Sequence, residues 1–387
     1  MAVKDLGGGK YQVRVYNPNL AGKQYNKVIL GKRAADLHEA EMKVKFARGQ
    51  ILDPSSGKQT FGSYALEAIE SRLLVPQTRA NYLRFVERIQ PIWGHRPLRS
   101  LKYTDAVSLT TALRAESDGG STANVLVLAR SIMRQALNDG IIDRNPFTGL
   151  KLYQAKAVRV DAEPTWVEVR AATRRPGKTS TQITVLAGVG LRSGECLGLE
   201  LAGIDWLRRT VTVTQQLHYL TEKQAVAIGS KKSGFYLGPA KTEAGADRTI
   251  PVPQFVLDVL AAHLARHPAV EVTLPWGSPD ATKSRTTSLV FGTTGRATMT
   301  KTVTGRAKRV GGTWSSHDLR HLYASTLGQA SVPVPVRTVQ EVMGHAAPGV
   351  TARYSHVQPH TLELIRPALE AAWALGAEGV EGLSAAQ

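Results

Sequence analysis

Near the start of the chain apolar and polar side chains alternate. Tyr11, Val13 and Val15 are followed, across Asn17, Pro18 and Gly22, by Tyr25, Val28 and Leu30. A period of two is that of a strand with one buried face, so short strands joined by turns are expected from Lys10 to Leu30. The period then lengthens: Ala34 to Arg48 has no breaker and carries Leu37, Met42, Val44 and Phe46. This predicts a helix that ends before Asp53, Pro54, Ser55, Ser56 and Gly57.

From about Thr60 to Leu150 the pattern is helical throughout, as in Tyr64, Ala65, Ala68, Ile69, in Tyr82, Phe85, Val86, Ile89, and in Val125, Leu128, Ile132, Ala136. Breaks are expected at Pro76, at Pro91 with Gly94, at Gly119 with Gly120, and at Gly140. Lys151 to Pro164 has little periodicity and reads as a linker. Beyond it come helices to Gly190, a strand over Thr210 to Thr214, a hairpin from Phe235 to Val252, and helices again around Val256 to His263. Near the C-terminus Leu362, Ile365, Leu369, Trp373 and Leu375 return at roughly helical spacing. The fold class expected is multidomain α+β. A small β-sheet and helix unit spans 1–58, an all-α domain 59–152, a linker 153–163, and a mixed, mainly α domain with a small antiparallel sheet 164–387.

Charge adds a partner to this outline. The 387 residues hold 49 Lys and Arg against 31 Asp and Glu, a formal net charge of +18 that implies a polyanion, with nucleic acid favoured over anionic lipid. Residues 1–58 carry 11 basic and 5 acidic side chains, and the all-α segment offers Arg79, Arg84, Arg88, Arg96, Arg99 and Lys102 to phosphates. The tail from Pro359 to Gln387 has 1 basic and 4 acidic residues and should avoid DNA. Cys196 is the single cysteine, which excludes an intrachain disulfide and a multi-cysteine zinc site. Met1 to Lys10 lacks an apolar signal-peptide run, and no stretch approaches the ~20 apolar residues of a membrane span, so a cytoplasmic protein is expected.

The candidate chemistry lies in the last domain. Arg192 sits at a turn in Gly190-Leu191-Arg192-Ser193-Gly194-Glu195, and its planar fork can donate two parallel hydrogen bonds to a phosphate. A surface ion pair with Glu195 or Glu200 is the alternative. In Ser315-Ser316-His317-Asp318-Leu319-Arg320-His321 the serines are candidate caps for a helix, on which His317 and Arg320 share a face at i, i+3. His317 and His321 share a face at i, i+4, the spacing of a zinc-binding helix, but the neighbour is Asp318 rather than Glu, and Arg320 opposes a dication. Val336 to Met343 then closes on Gly344 and His345, and Tyr354 follows in Thr351-Ala352-Arg353-Tyr354-Ser355-His356. A tyrosine taken by itself would be a packed ring with a satisfied hydroxyl.

Taken in order, Arg192, Lys241 (within the expected hairpin that ends Arg248-Thr249-Ile250-Pro251), His317-Asp318-Leu319-Arg320-His321, Met343-Gly344-His345 and Tyr354 resemble the signature of the tyrosine recombinase family, the phage integrase type of site-specific recombinase. The resemblance covers the whole last domain by motif. It implies that Arg192 and Arg320 neutralise the non-bridging phosphate oxygens, His345 adds a hydrogen bond, and Tyr354 attacks to form a 3′-phosphotyrosine. Lys241 would protonate the departing 5′ oxygen, His317 is the candidate acceptor of the tyrosine proton, and Glu195 orients Arg192 or a histidine. No cofactor and no metal is expected, because the covalent link preserves the phosphodiester energy. Gly7-Gly8-Gly9-Lys10, for its part, lacks the setting of a phosphate-binding loop.

The same resemblance implies an arm-type DNA-binding domain over 1–58, a core-binding, SAM-like DNA-binding domain over 59–152 and a catalytic domain over 164–387. The partners implied are double-stranded DNA at core and arm attachment sites, a homotetramer on paired sites, and DNA-bending and excision accessory proteins. The reaction would integrate or excise a phage or other mobile element through a Holliday junction, at the nucleoid of a bacterial host. The tail would dock on a neighbouring protomer or fold back on its own domain. A type IB topoisomerase, a DNA-binding regulator that lost the chemistry, and a metallohydrolase are the rivals. The arm-like N-terminal unit speaks against the first, and the complete six-residue set against the second.

Overall fold

The computed structural model describes residues 3–16, 24–47, 59–117, 119–152, 163–240, 247–345 and 359–385. The chain divides into two compact units, Met1–Val158 and Arg159–Gln387. In the first, β1 (Val3–Gly7), β2 (Lys10–Tyr16) and β3 (Gln24–Leu30) form an antiparallel sheet in the order β1-β2-β3, covered by α1 (Lys32–Ala47). The register pairs Val15 with Tyr25 and Tyr11 with Ile29. Partners opposite each other share a face, so Tyr25 and Ile29 of β3 turn inward with Val13 and Val15. Val28 and Leu30, expected inside, are exposed for that reason. On α1, Ala35, Met42 and Phe46 make the buried stripe, while Leu37 and Val44 face outward.

The helical part of this unit comprises α2 (Phe61–Glu70), α3 (Pro76–Trp93), α4 (Tyr103–Glu116) and α5 (Gly120–Asn138). Its own core is separate from that of the sheet and centres on Trp93, whose ring lies 5.3 Å from Phe61 and 5.6 Å from Phe147. The helix spacing read from the sequence recurs here as burial of Tyr64, Ala68, Ile89, Val125, Leu128, Ile132 and Ala136. The break expected at Pro91 with Gly94 falls at Gly94: α3 runs through Pro91 to Trp93, and Gly94 closes the helix on the Gln90 carbonyl.

The second unit is built around α7 (Lys178–Val189), every residue of which from Ser180 onward is buried. Its buried hydroxyls are satisfied by backbone carbonyls: Thr184 donates to Ser180 at 3.0 Å within the helix, Thr181 to the N-cap Gly177 at 3.2 Å, and Ser180 to Arg175 just before it. Around it lie α6 (Trp166–Thr173), α8 (Ser193–Leu197), then β4 (Ile204–Asp205), β5 (Thr210–Val213), β6 (Gln216–Leu220), α9 (Glu222–Ala227), β7 (Gly234–Gly238) and β8 (Arg248–Pro251). The chain continues through α10 (Gln254–Arg266), β9 (Val270–Pro275), β10 (Ser284–Leu289), α11 (Arg296–Arg309), α12 (Ser316–Gln329), α13 (Val336–Val342), α14 (Pro359–Glu363) and α15 (Ile365–Ala385).

Among the described residues, the hairpin expected from Phe235 to Val252 does not form. Its two strands enter different sheets: β7 pairs with β6, and β8 pairs with β5 beside β4. The β5 pairing brings Val211 opposite Ile250 and Val213 opposite Arg248, so the core-facing parity of β8 contains an arginine. Among the described residues, α15 packs on α6 and α12 of its own unit, with Ile365 and Leu369 fully buried and Trp373 stacked on Phe255 at 4.4 Å. Leu375 is exposed. No helix among the described residues is long and apolar enough to cross a membrane.

Candidate active site

Three chain reversals place the site. The first is Gly190, the left-handed cap of α7 at φ +68°, where a Cβ would lie 2.5 Å from the Tyr323 ring. The reversal presents the Gly190 carbonyl to Arg320 and makes Arg192 the N-cap of α8. The second is the start of α12, where Ser315 accepts from the His317 N–H and Asp318 reaches back to the Ser315 N–H at 2.7 Å, a capping box that orients the His317-to-His321 turn. Ser315 is thus the cap, and Ser316 instead meets Ser193 hydroxyl to hydroxyl at 3.0 Å, tying α12 to α8.

The third reversal ends α13. The His345 N–H donates to the Gln340 carbonyl at 2.9 Å and the Gly344 N–H to that of Glu341 at 2.8 Å, with Gly344 at φ +64°, which is a Schellman termination. It leaves the carbonyls of Val342, Met343 and Gly344 without helical partners. Each is taken by a different arginine. Arg248 Nε donates to Val342 O at 2.8 Å, Arg320 Nη2 donates to Met343 O, and Arg192 Nη2 donates to Gly344 O at 2.9 Å. Positive charge at a helix C-terminus is favourable, and here β8, α12 and α8 each supply one guanidinium.

One carboxylate holds two of these arginines. Glu195, 1% exposed, accepts from the Arg192 N–H at 2.8 Å and Arg192 Nη1 at 2.9 Å. It also accepts from Arg248 Nη2 at 2.6 Å and Nη1 at 3.3 Å. Burial pushes its carboxyl up, but the hydrogen bonds and charge of Arg248, then those of Arg192, outweigh this and hold it below the ordinary carboxylate range. Arg320 is 2% exposed, and burial followed by the charge of Arg192 pushes it down to about 10, still protonated at neutral pH. Three guanidinium charges against one carboxylate leave the cluster cationic.

His317, His321 and His345 face solvent at the edge of this cluster. Partial desolvation, then Arg320 and Arg192, lowers His345; partial desolvation, then His321 and Arg320, lowers His317. Both therefore favour the neutral ring near pH 7, which suits a proton acceptor. The His317 and His321 rings lie edge to face at 4.7 Å. Among the described residues, no group of three or more His, Cys, Asp or Glu is placed to hold a metal.

The structure thus brings together Arg192, Glu195, Arg320 and His345, with His317 one turn before Arg320. Lys241 and Tyr354 lie outside the described residues. Tyr323, beside the arginines, is fully buried, and burial raises its hydroxyl far above the ordinary value, which removes it as a nucleophile. The sequence reading missed Arg248. Its signal was the inward parity of Arg248 with Ile250 in a strand bounded by proline, but only pairing with β5 makes that parity visible.

The phage integrase family model matches residues 167–361, about half of the chain and all the described members of this cluster. The chain belongs to the phage integrase family, the tyrosine recombinases. A Mycobacterium tuberculosis (strain H37Rv) protein assigned as a prophage phiRv2 integrase is 25% identical over 368 residues, covering 92% of this chain and 90% of that protein. The Tn1549 transposon integrase, solved with transposon right end DNA, superposes with a TM-score of 0.60 at 18% identity over 79% of this chain and 98% of that one. The lambda integrase, solved as a tetramer bound to a Holliday junction, gives 0.52 at 15% identity over 92% and 98%. These likenesses establish the integrase fold, mixed α+β with small antiparallel sheets.

Proposed function

We propose that this family member is a site-specific DNA integrase using topoisomerase IB-like chemistry. The observation that carries the reading is the convergence of Arg192 and Arg320, from separate elements, on the consecutive carbonyls of Gly344 and Met343 immediately before His345. Two fixed guanidinium groups with remaining N–H donors make a clamp for the non-bridging oxygens of one phosphate, where charge builds in the transition state. His345 adds a donor to it. The Tyr354 oxygen bonds to phosphorus while the P–O5′ bond breaks; His317 takes the tyrosine proton and Lys241 gives one to the 5′ oxygen. A 5′ hydroxyl from a second strand reverses the steps and reseals the DNA.

By this reading 1–58 binds arm-type sites, 59–152 is a core-binding domain, 153–163 is a linker and 164–387 carries catalysis. A homotetramer on paired attachment sites exchanges strands through a Holliday junction, aided by DNA-bending and excision proteins. It integrates and excises a phage or other mobile element in the cytoplasm of a bacterial host. The prophage relative and the DNA-bound structural neighbours support this. The test is a pool of nicked duplexes of randomised sequence, from which SDS-resistant protein–DNA adducts are recovered and sequenced. The protein should enrich a defined site, and Tyr354→Phe should bind that site without forming the adduct. An adduct that persists in Tyr354→Phe would refute the nucleophile assignment.

A further inference from the structure

The Arg248 guanidinium divides its fork between two groups that the chemistry needs held still. Two of its nitrogens meet the two oxygens of Glu195, at 2.6 and 3.3 Å, and its Nε–H donates to Val342 O at 2.8 Å. It is 7% exposed, on the core-facing parity of β8, and is placed too deep to serve DNA as a surface contact. Glu195 in turn fixes Arg192 through both its N–H and its guanidinium, and Val342 opens the carbonyl run whose next members hold Arg320 and Arg192. We propose that Arg248 is a positioning residue: its fork locks the Glu195 carboxylate to the end of α13, so that Arg192 and the turn bearing His345 keep one register. The inference rests on the integrase reading for its effect on rate, and on geometry alone for its effect on the fold.

The shape of the contact explains why arginine stands there. A lysine is a single point of charge without the rigid planar fork that reaches both carboxylate oxygens and a carbonyl at once. Removing Arg248 alone leaves Glu195 a buried carboxylate with fewer partners, whereas removing both charges leaves neither stranded. The groups facing Glu195 are Arg192 at the start of α8, Arg248 on β8 and Arg320 on α12, with Cys196 adjacent and His345 and His321 sharing the same cations.

Two measurements separate this proposal from the function it rests on. The first needs no DNA: thermal unfolding against pH for wild type, Arg248→Met, and Glu195→Gln with Arg248→Met. In the wild type Glu195 contributes stability above its unfolded pKa that is lost as pH falls; in Arg248→Met its pKa rises and stability is lost as pH climbs. The gap between the two proteins should therefore be small in acid and widen toward neutral pH, and the double variant should regain much of the loss. A gap independent of pH would overturn the link to Glu195.

The second measurement is the rate of adduct formation on duplexes recovered with the wild-type protein. Arg248→Lys should slow it by about 10²-fold, the scale of a displacement of roughly 1 Å at a reacting centre. It should also shift the acid limb of the pH profile upward. The double variant should stay slow although its stability returns. Wild-type rate and profile in Arg248→Lys, or recovery of rate in the double variant, would overturn the positioning role. Should wild type form no adduct at all, the integrase reading fails and the unfolding series still decides the Arg248 contact.

Discussion

Arginine is used in opposite ways in the two units. In the helical part of the first, Arg79 pairs with Glu70 at 3.3 Å, Arg88 with Glu116 at 3.3 Å and Arg96 with Asp105 at 2.5 Å, each pair with at least one member well exposed to water. In the second, Arg248 and Arg320 are buried, Arg192 is half-buried, and their partners include a sealed carboxylate, three successive carbonyls and the Gly190 carbonyl. Exposed pairs are screened and exchange readily, so those arginines can leave a carboxylate for a phosphate at little cost. Buried ones are fixed before any ligand arrives, which is what transition-state stabilisation requires. On the proposed function, exposed arginines of the first kind would bind DNA, while the buried cluster would hold the reacting phosphate or keep its neighbours in place.

The largest effect should come from the buried side. Arg320→Ala removes one clamp donor and the partner of Gly190 O and Met343 O, and adduct formation should fall by at least ~10²–10³-fold, measured in single turnover. A loss under tenfold would break the distinction. Next, Gly190→Ala meets the Tyr323 ring in a left-handed backbone position and should destabilise the second unit by on the order of 1–3 kcal/mol, read from urea unfolding.

On the exposed side the effects should be small and salt-dependent. Arg96→Ala gives up a surface pair and should change stability by no more than about 1 kcal/mol. If the first unit binds DNA through it, the salt dependence of binding should lose about one unit of slope, with no change in the rate of the bound complex. A reduced rate at saturating DNA would erase the contrast between the units. Smallest of all, Tyr323→Phe deletes a buried hydroxyl with no partner among the described residues, and adduct yield should match wild type. A loss of the adduct would make Tyr323, not Tyr354, the residue to explain.

Several features could be read without coordinates because they depend on neighbours along the chain. The stripes of α2 and α5, the capping of α12 by Ser315, and the end of α13 at Gly344 are local matters of period and backbone conformation. So is the ordered set of Arg192, His317, Arg320 and His345, since each sits at a turn or helix start whose signals lie within a few residues. Strand partners were another matter. Phe235 and Ile250 lie in strands close in sequence, yet they enter different sheets, and Val28 turned out where Ile29 turned in, because register is set by a partner strand.

The sequence by itself therefore determined the family, the helical frame, and the turns at which Arg192, His317, Arg320 and His345 sit. Only the tertiary structure decided that Arg248 belongs with them, that Glu195 serves two arginines rather than one, and that the carbonyls of Val342, Met343 and Gly344 are shared among β8, α12 and α8. The reason is physical. A helix end left with unsatisfied carbonyls is visible in the sequence as a glycine, but which distant cations satisfy them depends on how strands and helices far apart in the chain are brought together.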